Sequence, residues 1–281
     1  MLAFGFENLI SYNKTILVRN RSIRDYLYSG ALEDVIIFHE GNILMNHQTY
    51  IQSATPDMPI RFENISAVFQ DFRYVNNSLC PPSILNDPKN TPRGYNSMCY
   101  FWFVAFRDYV KTYEWLIRID DDCVLHRDVR NTVQQLRATN VHFASPAWLD
   151  LSRGHASKFD RISDKPGGPE GIVVRGLRKL TVAFAEKHNY PRPIKSWKAP
   201  YTNVMYMDLN WLRNKTIITL FTQAVVDSGC IYGNRWGDLP LWGAALLLAQ
   251  EPHARFQFPY YHGSHNTFVS RMPDDNITKT K

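Results

Sequence analysis

The sequence predicts an α/β fold in which a mixed central sheet is flanked by helices. Two observations carry this. Short apolar, β-branched runs alternate with longer amphipathic stretches through residues 1–125, the pattern of strands and helices laid in layers. The strand-like run Trp115-Leu-Ile-Arg-Ile119 then leads straight into Asp120-Asp-Asp122, as expected where the strands of an open sheet end and ligands bind. With 281 residues, 44% hydrophobic and 21% charged, the chain is long enough to bury a real core. The same composition excludes disorder, a coiled coil, collagen and a disulfide scaffold.

In chain order, Leu2–Phe6 or Ile16–Val18 is expected as the first strand, Val35–Phe38 as the second and Ile65–Phe69 as the third. Between Leu79 and Gly94, Pro81, Pro82, Pro88 and Pro92 mark a loop. Tyr95–Tyr113 is apolar on most sides and free of Gly and Pro, so it reads as a buried helix. Beyond the aspartates come a helix over about Asp128–Arg137 and a strand at Val141–Ser145. A polar loop over Ser152–Gly171, with Pro166-Gly-Gly-Pro169 inside it, suits a flexible lid. A helix over Leu177–His188, a Pro-rich bend, a strand at Thr202–Met207 and a helix from Leu209 follow. Arg235-Trp-Gly-Asp238 then opens an apolar helix, Leu239–Gln250, and no repeat or linker divides the chain.

The formal charge is +6, which permits an anionic partner. Apart from Arg19, Arg21 and Arg24 the basic residues are scattered, so no nucleic-acid stripe is evident and no nucleic-acid partner is expected. No run approaches the roughly 18 apolar residues of a membrane span. Cys80, Cys99, Cys123 and Cys230 form no C-x-x-C pair; they read as reduced or buried thiols, with one disulfide left open. No basic leader precedes an apolar region at the N-terminus. A soluble cytoplasmic protein is therefore expected. Six N-x-S/T sequons, Asn64 and Asn214 among them, suit a secreted surface, and the Golgi lumen is the alternative if an anchor has been removed.

The aspartate triplet is the sharpest chemical feature. Alternation along an extended chain points Asp120 and Asp122 to the same side, where two carboxylates can hold a hard divalent cation that grips a diphosphate. Burying three adjacent negative charges without a cation would be expensive. A solvated acidic turn capping the next helix is the bland reading, although so apolar a strand seldom delivers one. Asp238 is expected at or just before a helix N-terminus, with Pro240 in the first turn. It is either a simple cap or a general base held beside Trp236, whose flat face suits a sugar ring. In Tyr260-Tyr-His-Gly-Ser-His265, His262 or His265 can complete a cation's coordination sphere.

Together, Thr91–Trp102, Tyr113–Asp122, Tyr201–Arg213 and Arg235-Trp-Gly-Asp-Leu-Pro240 resemble the fungal Golgi α-1,2-mannosyltransferase family in order and spacing, over about Leu17–His265. The resemblance implies the GT-A fold, manganese or magnesium, and a nucleotide sugar as donor. Residues 1–265 are then a single glycosyltransferase domain, with 1–125 the nucleotide-sugar-binding half, 126–265 the acceptor-binding half and 266–281 a polar tail. The family's E-P-D metal motif falls on Asp120-Asp-Asp122, with Asp122 the retained acid and Asp120 a shorter substitute for Glu. His262 falls on a metal-binding histidine and Arg19 on a nucleotide-side basic residue. Asp121 and Tyr95 belong to the nucleotide side; Trp236, Asn203 and Asp208 belong to the acceptor side.

One departure changes the expected mechanism. The family's S-N-F-E-I segment carries a glutamate under the donor sugar, whereas this chain has Thr202-Asn-Val-Met-Tyr206. Met205 supplies no charge for a covalent intermediate or an oxocarbenium ion. The expectation is therefore a single displacement with inversion, Asp238 acting as base on a glycan hydroxyl, with retaining α-mannosyl transfer from GDP-mannose as the alternative. Losing the glutamate also lets a UDP-sugar compete with GDP-mannose as donor. A phosphodiesterase or nuclease would need further acids and histidines for a second metal. A non-catalytic carbohydrate- or nucleic-acid-binding protein is the remaining rival.

Overall fold

The computed structural model describes residues 9–28, 32–70, 93–151, 171, 174–191, 193–194, 197–234 and 236–262. The chain gathers into two compact units, neither contiguous in sequence. One takes residues 1–64, 119–139 and 257–281, the other 65–118 and 140–256. The halves expected from the sequence, 1–125 and 126–265, thus each feed both units. Nearly all of the expected loop at Leu79–Gly94 and of the polar loop over Ser152–Gly171, and the tail after His265, lie outside the described residues; Arg93 and Gly94 open a helix instead.

In the first unit, helix α1 (Leu9–Tyr26) includes Ile16–Val18, which the sequence predicted as a strand. Burial explains the correction. Ile16, Asn20, Ile23 and Leu27 recur every three or four residues and are all buried, a helical stripe. The alternative first strand, Leu2–Phe6, lies outside the described residues. Strands β1 (Val35–His39) and β2 (Ile60–Asn64) run parallel, Val35 opposite Ile60 and His39 opposite Asn64, with helix α2 (Met45–Ala54) between them in the chain. The predicted strand at Ile65–Phe69 is instead mostly a short helix, α3 (Ser66–Gln70), in the second unit. The Ile60-Arg-Phe-Glu alternation just before it already fills the ladder with β1.

Next in the chain is a helical rod of α4 (Arg93–Tyr100), a π-helical turn (Phe101–Ala105) and α5 (Phe106–Tyr109), matching the predicted buried helix. Strand β3 (Trp115–Ile119) follows at the predicted position. Strand β4 (Cys123–Leu125) and helix α6 (Arg130–Ala138) return to the first unit. Asp128 Oδ1 accepts the Arg130 N–H at 2.9 Å, which starts α6.

The second unit continues with β5 (Phe143–Ser145), β6 (Trp148–Asp150), α7 (Leu177–Lys187), β7 (Lys198–Pro200) and β8 (Val204–Asp208). Then come α8 (Leu209–Asn214), α9 (Thr216–Ser228), α10 (Cys230–Gly233), α11 (Asp238–Leu248) and β9 (Ala254–Arg255). Its sheet has the order β3-β8-β5-β9. β5 is antiparallel to β8, Ala144 opposite Tyr206, and parallel to β9, Ala144 opposite Ala254. This is the mixed sheet flanked by helices that the sequence predicted. Strand β10 (Tyr260–His262) belongs to the first unit.

The core of the second unit is aromatic. The Trp242 ring lies 5.3 Å from Phe103, 6.1 Å from Phe106 and 5.5 Å from Phe143, measured between centroids, and its indole N–H donates to the Trp102 carbonyl at 3.1 Å. Each such pair adds about 0.5–1.5 kcal/mol beyond area burial. Helix α11 is buried on nearly every face, as a helix apolar all round must be. Its Gly243 lies against β7, where an added Cβ would stand 2.7 Å from the Trp197 ring, 2.8 Å from the Lys198 carbonyl and 2.9 Å from Ala199 Cα. Two of those atoms are backbone, so the helix itself must shift. Gly243→Ala is predicted to destabilise the protein by about 1–3 kcal/mol, read as a lowered urea midpoint.

Candidate active site

The aspartate triplet forms a tight turn rather than a continuation of the strand. The Cys123 N–H donates to the Asp120 carbonyl at 3.1 Å, so the chain reverses through Asp121 and Asp122 and the alternation expected of an extended chain stops at Ile119. The turn delivers β4, whose three residues are fully buried. Ser22 of α1 anchors it: the Ser22 hydroxyl accepts the Leu125 N–H at 3.2 Å and donates to the Arg19 carbonyl at 2.7 Å. β10 pairs antiparallel to β4, with His262 opposite Cys123 and Tyr260 opposite Leu125. The His126 N–H donates to the Pro259 carbonyl at 3.3 Å and extends the ladder.

That ladder puts His262 Nε2 3.2 Å from Asp122 Oδ2, with the imidazole 39% and the carboxylate 18% exposed. The bond to Asp122 raises the His262 pKa above its ordinary value against the opposing effect of burial; the charges of Asp122, Asp120 and Asp121 add to the rise. One donor atom each from Asp122, Cys123 and His262 lies within 4.8 Å of the others. A carboxylate and an imidazole in contact, under the field of two more carboxylates, fit a divalent cation. Asp120 and Asp121 act on the imidazole through their charge; Asp122 is the member in contact with it.

In the second unit Asp238 is the first residue of α11, behind an extended Gly237 at the cap position and ahead of Pro240 in the first turn, as the sequence predicted. It is 5% exposed and forms a buried ion pair with Arg118 of β3, whose Nη1 contacts Asp238 Oδ2. The Arg118 guanidinium lies over the Trp102 ring, 4.4 Å from its centroid, a ring supplied by the π-helical turn. Tyr95 reaches the same place: its hydroxyl stands 3.1 Å from where a Cβ on Gly237 would be, and it hydrogen-bonds the Cys99 thiol. Burial, and after it the Asp238 charge, push the Cys99 thiol pKa up.

Other expected site residues take structural positions. Trp236, expected as a sugar-stacking wall, is fully buried, with its indole N–H donating to the Arg175 carbonyl at 2.7 Å. Asp208 caps α8, accepting the Trp211 N–H at 2.9 Å through Oδ1 and contacting His142 Nδ1 at 3.0 Å through Oδ2. Asn203 lies in the turn before β8, and Met205 is fully buried within that strand. Arg19 is buried on α1, its guanidinium donating to Asn20 Oδ1 at 3.1 Å. His265 lies outside the described residues. Cys99 and Cys123 are not in disulfides, whereas Cys230 is disulfide-bonded. Sequence reasoning missed Arg118 and Cys123. A charged residue inside the apolar strand W-L-I-R-I was the available signal for the first; the second had none.

At the level of sequence, no family model and no curated protein matches the chain. Solved structures do. The chain is similar to the mannosyltransferase Ktr4p from S. cerevisiae, with a TM-score of 0.65 and 16% identity over 84% of this chain and 62% of that one. Against the same protein in complex with GDP the values are 0.69, 16%, 90% and 68%. Core-mannan synthase A (CmsA/Ktr4) from Aspergillus fumigatus, in its Mn/GDP form, gives 0.64, 15%, 84% and 66%. The chain thus spans about two thirds of the length of each. The likeness is one of fold, the GT-A α/β fold that the sequence resemblance implied. Among the described residues no helix is long and apolar enough to cross a membrane.

Two measurements test this geometry. Arg118→Met leaves a buried carboxylate without its cation and is predicted to destabilise by about 3–5 kcal/mol, much of which the double variant Arg118→Met/Asp238→Leu recovers; denaturant melts check both. In the metal-free protein, folding favours protonated His262. Its stabilising contribution is therefore full below the ordinary histidine pKa of 6.5 and is lost as pH rises through the elevated folded value. NMR titration is expected to find His262 raised in the wild type and lowered by Asp122→Asn.

Proposed function

We propose that the protein is a divalent-metal-dependent glycosyltransferase that moves a sugar from a nucleoside-diphosphate sugar to a hydroxyl of a glycan acceptor. The observation that carries the reading is the Asp122–His262 contact at the turn after β3, on a fold shared with mannosyltransferases solved with GDP and with Mn/GDP. Asp122 and His262 hold the cation, and Asp120 and Asp121 supply further negative field. Manganese or magnesium held there would supply Lewis acidity toward the leaving diphosphate. The donor is GDP-mannose or a UDP-sugar, and Arg19, the nucleotide-side residue that the resemblance implies, reaches it only by leaving its bond to Asn20.

Inversion is the proposed stereochemistry. Asp238 takes the proton of the acceptor hydroxyl as that oxygen bonds to the anomeric carbon, and the electron pair of the breaking C–O bond leaves on the diphosphate. The buried, uncharged Met205 supports this, since no carboxylate stands at that strand position to carry a glycosyl intermediate. Retaining transfer from GDP-mannose is the second reading. The observation favouring it is that Asp238 is buried and engaged by Arg118, the surroundings of a brace rather than of a base. We also propose the lumen of the secretory pathway as the site of action, because a disulfide at Cys230 persists in oxidising compartments. Intact mass before and after alkylation, on protein from its own cell, reads whether those thiols are paired.

Incubation with GDP-mannose, UDP-xylose, UDP-glucose and UDP-galactose, with and without Mn²⁺, is expected to release free nucleoside diphosphate from one of them only with the metal. Asp122→Asn and His262→Ala lower that release on the order of a hundredfold or more, the equivalent of the several kcal/mol a metal contributes. No release from any donor with any cation sinks the reading. The anomeric coupling constant of the product separates the two stereochemistries. A β-linkage with a roughly 10²–10⁴-fold loss in Asp238→Asn supports inversion; an α-linkage supports retention.

A further inference from the structure

The thiol of Cys123 belongs to the same donor cluster as Asp122 and His262. Its Sγ lies 3.8 Å from Asp122 Oδ1, while His262 Nε2 lies 3.2 Å from Asp122 Oδ2. Around a tetrahedral ion with bonds of roughly 2.3 Å to sulfur and 2.0–2.1 Å to nitrogen or oxygen, neighbouring donors stand about 3.5 Å (S to O) and about 3.3 Å (N to O) apart. The two observed contacts, made to the two different oxygens of one carboxylate, are near that size, and one donor atom from each residue lies within 4.8 Å of the others. Backbone pairing holds the arrangement, since His262 and Cys123 face each other directly across the β10–β4 ladder, and opposed residues of an antiparallel pair send their side chains to the same face.

We infer that Cys123 is a third protein ligand of the cation and that the site favours borderline-soft divalent ions such as zinc or cobalt over manganese or magnesium. The inference rests on the reading that Asp122 and His262 hold a cation. It adds that the donor set is mixed N/O/S, and sulfur is what hard ions such as Mg²⁺ bind poorly. Exposure is graded across the cluster: Cys123 is fully buried, Asp122 is 18% exposed and His262 is 39% exposed at the side chain. The thiol therefore closes the dry side of the site while the imidazole faces water. A buried cysteine that merely filled space would be replaceable by any small apolar residue. Here the sulfur is in contact with a carboxylate that itself contacts an imidazole.

Relative affinity alone does not decide the matter, because cobalt and zinc outrank manganese at oxygen and nitrogen sites too. The deciding signal is the metal–sulfur bond. Titrating Co²⁺ into the wild-type protein under a non-chelating reductant is expected to produce a thiolate-to-cobalt charge-transfer band in the near ultraviolet. It should saturate at one ion per chain and disappear when Zn²⁺ displaces the cobalt. Cys123→Ser loses the band while calorimetry still detects Co²⁺ binding through Asp122 and His262. If Cys123→Ser does not fold, the wild-type spectrum decides alone. Binding of Co²⁺ without that band, or a band that survives in a folded Cys123→Ser, overturns the inference and leaves the metal site standing. Failure of Co²⁺, Zn²⁺ and Mn²⁺ alike to bind overturns both.

Discussion

Three carboxylates in consecutive positions repel one another, and the turn after β3 with the strand opposite it has to accommodate that repulsion. A turn spreads them instead of a strand lining them up, with the Cys123 N–H bonded back to the Asp120 carbonyl. Opposite the turn, β10 supplies an imidazole whose protonated form is stabilised by contact with Asp122. Contact with Asp122 thus favours the charged imidazole, against the burial that disfavours it. The support behind this is a backbone ladder to β10 together with a buried side-chain tie, the Ser22 hydroxyl that joins β4 to α1.

The second unit solves a related problem without an exposed ligand. A carboxylate buried at the start of a helix gains from the helix dipole, but that gain is small beside the cost of leaving it without a full counter-charge. Arg118 provides one, and Trp102 provides a face for the guanidinium. The π-helical turn that carries Trp102 also directs its carbonyl to the Trp242 indole. The ion pair is thereby fastened to the aromatic core. Such a pair is weak evidence for stability and better evidence for a fixed geometry, because apolar residues of similar volume would often be at least as stable.

Much of the fold was legible in the sequence because the period of its apolar residues was. Trp115–Ile119 and the helix opening at Asp238 fell where periodicity and capping residues placed them. Ile16–Val18 misled because three β-branched or aliphatic residues in a row look like a strand unless the wider spacing of Asn20, Ile23 and Leu27 is weighed with them. Ile65–Phe69 misled for the converse reason, its apolar content outweighing the cleaner alternation of Ile60–Glu63 just before it. Of the site, the acids and His262 were visible as residue types with a known chemistry. Contacts were not: that Arg118 meets Asp238, or that His262 meets Asp122, depends on pairings between segments far apart in sequence. Trp236 shows the opposite failure. An aromatic beside a candidate base suggested a sugar platform, and packing sends it into the core.

Met205 marks where chain and fold diverge in chemistry. A strand residue in the middle of a mixed sheet is buried by its neighbours, and a glutamate there would need a partner or a ligand to offset desolvation. Methionine removes that demand and with it the charge, and Met205 is accordingly buried inside a strand buried along most of its length. The strand therefore keeps its place in the sheet with no charge to satisfy at this position. Acids elsewhere are each held by a partner of their own, Asp122 by its imidazole in the first unit and Asp238 by its arginine in the second. Each of those partners holds a carboxylate still, and a carboxylate already held in one orientation loses little further entropy when it binds an ion or accepts a proton.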